Sequence, residues 1–245
     1  MKMLRFIELT RRLGDWRAIR LQRAECPLCG NSIFFKFGEN EHAVRCLRCR
    51  ANPAAMCTVK VLKEIVPDIT CCHVYELSSR GPLFRFLQSQ SGQFTCSEFF
   101  DDVPSGSTRN SVQCQDVQRL TFKTESFDIC TSTDVLEHVP DDRLAFREIH
   151  RVLRPGGYAV FTVPLNIQGE TIERARIDEE RLNHLLPPEY HHDHVRGLSQ
   201  VLCFRNYGAD ILDRLKDQGF REVKIMPADP LLYWGYGRHV VVACR

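Results

Sequence analysis

Apolar and polar positions follow two rhythms along the chain, and the clearest passage runs over residues 125–164. Phe127, Asp128, Ile129, Cys130 and Thr131 form a short run, long enough for one buried strand. Pro140, Asp141 and Asp142 then open a helix, with acidic residues in the first turn facing the positive end of its dipole. Leu144, Phe146, Ile149, Val152 and Leu153 recur at helical spacing and give it one apolar face. Pro155, Gly156 and Gly157 stop the helix and turn the chain. Residues 158–163 are a second strand without polar alternation, as expected where both faces of a sheet are covered. Two such strands joined by a helix predict a right-handed parallel crossover.

Elsewhere the pattern is shorter but of the same kind. A helix is predicted over 53–65, with Met56, Val59, Val61, Leu62 and Ile65 apolar and Pro67 ending it. Strands are predicted at 71–77, 93–98 and 111–114, with a Pro-, Gly- and Ser-rich loop at 101–110. A last helix spans 209–218, capped by Gly219, and closing strands cover 220–226 and 238–244. Between them, the aromatic turn 233–237 either overhangs the substrate mouth or packs in the core or at an edge. Residues 2–24 are predicted as an amphipathic helix with Arg11, Arg12, Arg17, Arg20 and Arg23 off its apolar side. That helix packs on the main domain or, alternatively, serves as a basic arm. An insertion at 165–201 is expected to build the substrate side and to contain a charged helix at 170–186.

The 245 residues suffice for one α/β domain and a small extra module. Thirty-three basic residues against 31 acidic ones leave a net charge of +2, which argues neither for nor against nucleic acid. A hydrophobic content of 43% excludes compositional disorder. No apolar run approaches the ~20 residues of a membrane-spanning helix, so no membrane partner is expected. The first residues break their apolar run too early for a secretion signal. With 12 cysteines, that points to a reducing compartment, thiols free or on metal, and a cytoplasmic location.

Cys26 and Cys29 form one Cys-x-x-Cys knuckle and Cys46 and Cys49 a second, with residues 30–45 between. Each pair can place two sulfurs on one tetrahedral ion, and two pairs complete a closed four-sulfur zinc site. Residues 32–38 and 42–45 are the expected strands of a zinc-ribbon hairpin turning at 38–40. A closed site keeps no open coordination position, so the zinc is expected to be structural and to supply the ribbon's folding energy. The expected division is an N-terminal helix at 1–24, a ribbon with its connecting helix at 25–66, and a main domain at 67–245.

Within the insertion, Tyr190, His191, His192, Asp193 and His194 form the one polar cluster suited to proton transfer. Three roles stay open. The cluster closes a lid or positions substrate; it supplies a general base, with Asp193 orienting a histidine; or His192, His194 and a carboxylate bind a second metal.

Phe127-Asp128-Ile129, Leu136-Glu137-His138-Val139 and the run from Arg151 through Pro155 to Gly157 also carry a resemblance. They look like the fourth-to-fifth-strand segment of class I S-adenosylmethionine-dependent methyltransferases, and the likeness covers residues 71–245. It implies an α/β fold: a Rossmann-like seven-stranded sheet whose antiparallel last strand is inserted beside its predecessor. It also implies S-adenosyl-L-methionine as cofactor and methyl transfer to an O, N or C nucleophile of a small-molecule substrate. By the same resemblance, Glu76 ends the first strand and anchors the polar end of the cofactor. A turn through Ser78 to Gly81 follows, with Ser78 and Arg80 standing where the family has glycines. Glu98 ends the second strand at the roughly 20-residue spacing at which a carboxylate accepts hydrogen bonds from ribose hydroxyls. Phe99 or Phe100 lies against the adenine or in the core. Asp116 reaches the adenine amino group, Val117 offers the neighbouring backbone NH, and Thr133 faces the crevice. Glu137 and His138 belong to a helix start and the cofactor wall. Tyr190 and His191 lie in the active site.

Two other functions fit the same sequence. One is an RNA methyltransferase gripping nucleic acid with the ribbon and basic arm, whose binding would fall steeply with salt. The other is a methyltransferase-like scaffold whose first turn has decayed.

Overall fold

The computed structural model describes residues 19–191, 200–229 and 232–245. Its first three strands are β1 (Arg20–Cys26), β2 (Gly30–Lys36) and β3 (Val44–Cys46). They form one antiparallel sheet, with Cys26 opposite Gly30 and Phe34 opposite Cys46. Residues 20–24 are therefore strand and not the end of a helix over 2–24; residues 1–18 lie outside the described part. The period decides it. Gln22, Ala24 and Cys26 turn inward while Leu21, Arg23 and Glu25 stay exposed, an alternation a strand satisfies and a helix does not.

Asn52 caps the next helix, α1 (Pro53–Ile65), by accepting from the Ala55 amide, and Pro53 fixes the first turn. Its bounds are those predicted. Met56, Val59 and Leu62 are buried with Phe34, Val44 and Cys46 of the ribbon and with Val74, Ile129, Val160 and Val242 of the main sheet. Ribbon and sheet thus share one apolar cluster. Tyr233 joins it, its ring 5.3 Å from that of Phe34, so the aromatic turn packs against the ribbon.

The main domain continues with β4 (His73–Glu76), α2 (Gly81–Gln90), β5 (Gln93–Glu98), β6 (Thr108–Arg109), β7 (Val112–Cys114), β8 (Phe127–Thr133), α3 (Asp142–Val152) and β9 (Leu153–Thr162). The insertion holds short strands: β10 (Leu165–Asn166), β11 (Ile172–Glu173), β12 (Ala175–Asp178), β13 (Arg181–His184), β14 (Tyr190–His191) and β15 (Val201–Leu202). Then come β16 (Arg205–Gly208), α4 (Ile211–Lys216), β17 (Glu222–Met226) and β18 (Val240–Cys244). The central sheet has the order β17-β18-β9-β8-β4-β5-β7-β6. Strands β9, β8, β4, β5 and β7 run parallel, and β18 lies antiparallel between β17 and β9. It is eight-stranded, not seven-stranded. The extra member is β6, formed because Asn110 and Ser111 both take positive φ and fold the expected loop into a tight hairpin onto β7.

Phe146, Ile149 and Val152 of α3 and Ile211 and Leu215 of α4 cover one face of the sheet, against Phe161 and Val241. Asp141 caps α3 through the amides of Arg143 and Leu144. Pro155-Gly156-Gly157 lies within β9, where the register with β8 shifts between Phe127 and Ile129. A Cβ on Gly157 would sit 2.8 Å from the Asp128 carbonyl oxygen, so only glycine fits that bulge.

The charged stretch 170–186 is not a helix. Residues 175–184 form the β12–β13 hairpin, turning at Glu179 and Glu180 with φ of 48° and 66°. Two consecutive left-handed residues match the twist of a two-stranded ribbon, and Asp178 ties the hairpin by accepting from Arg176 and Asn183.

Candidate functional site

A cavity of about 610 Å³ opens above the carboxyl ends of β4, β5, β7 and β8, a size usual for small-molecule sites. In parallel α/β sheets this crevice is where ligands bind, because loops diverge there and leave backbone groups facing outward.

Its first wall is the turn after β4. Positive φ occurs there only at Gly81, at 96°, so Ser78 and Arg80 occupy backbone that any residue adopts. That explains how the turn dispenses with the glycines of the resemblance. Arg80 is exposed and is not among the residues lining the cavity. Glu98, buried at the end of β5, accepts from the Ser79 amide at 2.7 Å and the Ser79 hydroxyl at 2.9 Å, with Ser78 Oγ at 3.4 Å. A single carboxylate thus holds the turn against the second strand.

Asp116 follows β7 and accepts from the Gln118 backbone and side chain at 2.9 and 3.1 Å, which aims its carboxylate along the cavity rim. Ser78, Glu98, Asp116, Val117 and Thr133 all stand on the cavity wall; Glu76 and Gly81 do not. Of the two phenylalanines, Phe99 lines the cavity and Phe100 is buried beneath the Arg109 guanidinium, 4.9 Å from its ring.

Glu76 is enclosed below the cavity floor, where the Thr131 hydroxyl donates to it. Burial raises its pKa to about 8, against the lowering effect of the Thr131 bond, and the Glu98 charge adds to the rise. The folded chain therefore binds a proton that the unfolded chain has released above the ordinary carboxyl range. Stability from this group is fully present at low pH and declines as pH rises from about 4.5 to about 8. Glu76→Gln keeps the Thr131 partner and removes the titration. Its urea-denaturation stability is expected to fall less than wild type between pH 5 and pH 8; parallel curves would show that Glu76 does not carry the proton.

The far wall is the loop after β8. Asp134 has φ of 52° and accepts from Arg238 at 2.9 Å and from Thr162 at 3.2 Å. Arg205 donates to the carbonyls of Val139 and Pro140, each at 2.6 Å, and pins the loop from below. Glu137 is fully buried, and neither carboxylate oxygen has a hydrogen-bond partner. Burial holds its pKa well above the ordinary value, and the Asp134 charge adds to this.

The insertion reaches this loop through β14. His191 packs edge-on against His138, ring centroids 4.8 Å apart. Tyr190 points away, 47% exposed. His192, Asp193 and His194 lie outside the described residues. The sequence puts Glu137 and His138 in the wall and His191 in a separate cluster; the fold brings the three together. Their separation of 53 residues between the histidines leaves no periodic signal to find.

In the ribbon, the sulfurs of Cys26, Cys29, Cys46 and Cys49 all lie within 4.8 Å of one another. Cys26 Sγ is 3.7 Å from Cys49 Sγ, and Cys29 Sγ is 3.6 Å from Cys46 Sγ. Zinc–sulfur bonds of about 2.3 Å place tetrahedral sulfurs roughly 3.8 Å apart, so the residues fit the ion.

A parallel sheet closed by an inserted antiparallel strand, with acidic residues rimming the crevice at successive strand ends, has the architecture of a class I methyltransferase. Residues 86–161 match the family described as a methyltransferase domain. The chain is 33% identical over 141 residues to a ubiquinone biosynthesis O-methyltransferase of Coxiella burnetii, covering 53% of this chain and 60% of that protein. It is 36% identical over 103 residues to the protein of the same name from Xanthomonas oryzae, covering 41% of this chain and 43% of that protein. The chain therefore spans less than two thirds of the curated relatives it matches. Among solved structures, it is similar to an S-adenosylmethionine-dependent methyltransferase from Mesorhizobium loti. That likeness has a TM-score of 0.49 at 18% identity and covers 77% of this chain and 98% of that one. Among the described residues, no helix is long and apolar enough to cross a membrane.

Proposed function

We propose that the chain transfers the sulfonium methyl group of S-adenosyl-L-methionine to a nucleophilic atom of a small molecule, with an oxygen acceptor favoured. The observation that carries this reading is the pairing of Glu98 and Asp116 at the ends of adjacent strands on one 610 Å³ cavity. Glu98 accepts from the ribose hydroxyls, exchanging part of its bonding to Ser79 for them. Asp116 accepts from the adenine amino group, Val117 offers its backbone NH to the ring, and Ser78 and Thr133 line the remaining wall. Glu76 and Gly81 stand off the wall, Glu76 bonded to the Thr131 hydroxyl and Gly81 opening α2. Bound cofactor brings the electrophilic methyl carbon. The chain contributes alignment of acceptor and methyl and exclusion of water, worth up to several kcal/mol. His191, packed on His138 of the cavity wall, positions the acceptor side. The names of the two curated relatives support the oxygen acceptor. We further propose that the four ribbon cysteines hold a structural zinc ion.

Calorimetric titration with S-adenosylhomocysteine tests the cofactor assignment. Binding is expected at sub-millimolar concentration, and Glu98→Gln is expected to weaken it by about tenfold to a hundredfold, the worth of a hydrogen bond to a charged group. No heat with the folded wild-type chain would leave the scaffold reading in its place.

A further inference from the structure

We infer that Glu137, His138 and His191 form a binding site for one divalent transition-metal ion, distinct from the cysteine site, on the acceptor side of the cavity. On each histidine, one ring nitrogen points away from the cluster. His138 Nδ1 lies 2.8 Å from the Leu202 carbonyl oxygen, which accepts only, so Nδ1 carries the hydrogen and Nε2 presents a lone pair. His191 Nε2 lies 3.2 Å from a Glu189 carboxylate oxygen, so Nε2 carries the hydrogen and Nδ1 presents a lone pair. Those two lone-pair nitrogens face each other at 3.2 Å. With a Glu137 carboxylate oxygen they make three potential ligand atoms within 4.8 Å of one another.

The third group is the buried Glu137 carboxylate. Its Oε1 lies 3.7 Å from His138 Nε2 and 3.7 Å from His191 Nδ1, and neither of its oxygens is hydrogen-bonded. The Arg205 guanidinium nearby is committed to backbone carbonyls and to Glu173. A carboxylate removed from water without a partner is costly, and a cation at the centre of this trio removes that cost. Bonds of about 2.1 Å to a tetrahedral ion separate ligand atoms by roughly 3.4 Å, and the three separations here straddle that value.

The outer contacts are those of a metal site. A histidine ligand commonly donates its other ring nitrogen to a carbonyl or carboxylate, which fixes ring and tautomer. Leu202 and Glu189 do this here. Two imidazoles and one carboxylate suit zinc, iron(II), cobalt(II) or manganese(II) over magnesium or calcium. Three protein ligands leave coordination positions open. His138 and Leu202 line the cavity, so an open position faces it.

The ion site stands on its own geometry; its chemical use rests on the proposed methyl transfer. A divalent cation lowers the pKa of a bound hydroxyl group, so the acceptor class it favours is an alcohol or phenol. The hydroxyl proton passes to water, and the oxygen lone pair forms the new bond to the methyl carbon. The sulfur–methyl bond breaks with its electron pair staying on sulfur, leaving the neutral thioether.

The test is a cobalt(II) titration of the full zinc-loaded chain, without cofactor, read by equilibrium dialysis and visible absorption. One cobalt per chain beyond the ribbon zinc is expected, with d–d bands and no near-ultraviolet thiolate band. His191→Ala and Glu137→Gln are expected to abolish that equivalent, and Glu189→Gln to weaken it by about tenfold. His191 is half-buried at the edge of the site, so its variant keeps the fold when the core carboxylate variant does not. No additional cobalt, a thiolate band, or binding unchanged in both ligand variants would each overturn the site. S-adenosylhomocysteine titration of the same samples reads the cofactor separately, so the two proposals fail independently.

Discussion

Replacing Cys46 by serine is expected to abolish the zinc binding proposed for the ribbon, unfold residues 20–52 and strip cover from one face of the main sheet. Cys46 is fully buried and sits between Ser32 Oγ at 3.1 Å and Cys29 Sγ at 3.6 Å. Structural zinc in a small module contributes about 10–16 kcal/mol of apparent binding energy, which is also its folding energy. The loss does not stay local, because Phe34, Val44 and Cys46 share a cluster with Met56, Val74, Val160 and Val242. A loss of only about 4 kcal/mol would lower the melting temperature of a chain this size by roughly 8–16 °C. Zinc content and thermal melting by circular dichroism check this, with chelator treatment of the wild type as the companion experiment. A variant that melts with wild type would show that the ribbon folds without the ion.

Arg205→Met is expected to destabilise the chain by about 3–5 kcal/mol, the usual cost of breaking a buried charged network at one member. Arg205 is 2% exposed. Its guanidinium donates to the carbonyls of Val139 and Pro140 and to Glu173, and it lies 3.7 Å from Asp142. Methionine keeps the apolar stem and leaves those carbonyls without their donor. Asp142 keeps Arg214 at 3.0 Å, so the helix start persists while the loop below the cavity loosens. Arg205→Lys is expected to recover only part of the loss, since one ammonium cannot reproduce the planar fork. Urea denaturation measures both; a Met variant within about 1 kcal/mol of wild type would show that the loop is held by other contacts.

The parallel core was legible because its physics is local. Residues 127–163 alternate between an apolar run, a 3.6-residue stripe and a second apolar run, and each became the expected element, with a bulge in place of the turn at Pro155. The helix at 53–65 and the strand at 93–98 carry their own stop and start signals and kept their predicted bounds. Residues 20–24 and 170–186 misled for one reason. Charged residues fit the exposed side of a helix or of a two-stranded ribbon equally well, and only pairing with a distant strand, or two consecutive positive-φ residues, selects the ribbon.

Short-range spacing along the chain fixes the available chemistry: four thiols in two knuckles and carboxylates at the ends of apolar runs. Tertiary structure decided which of these groups meet. Glu76 went beneath the cavity floor instead of onto its wall, because its strand direction turns it toward Thr131. Glu137, His138 and His191 met because β14 pairs with β15, and Leu202 of β15 accepts from the His138 ring. Side-chain direction and the folding-back of an insertion depend on contacts between residues far apart in the chain, and no local pattern encodes them.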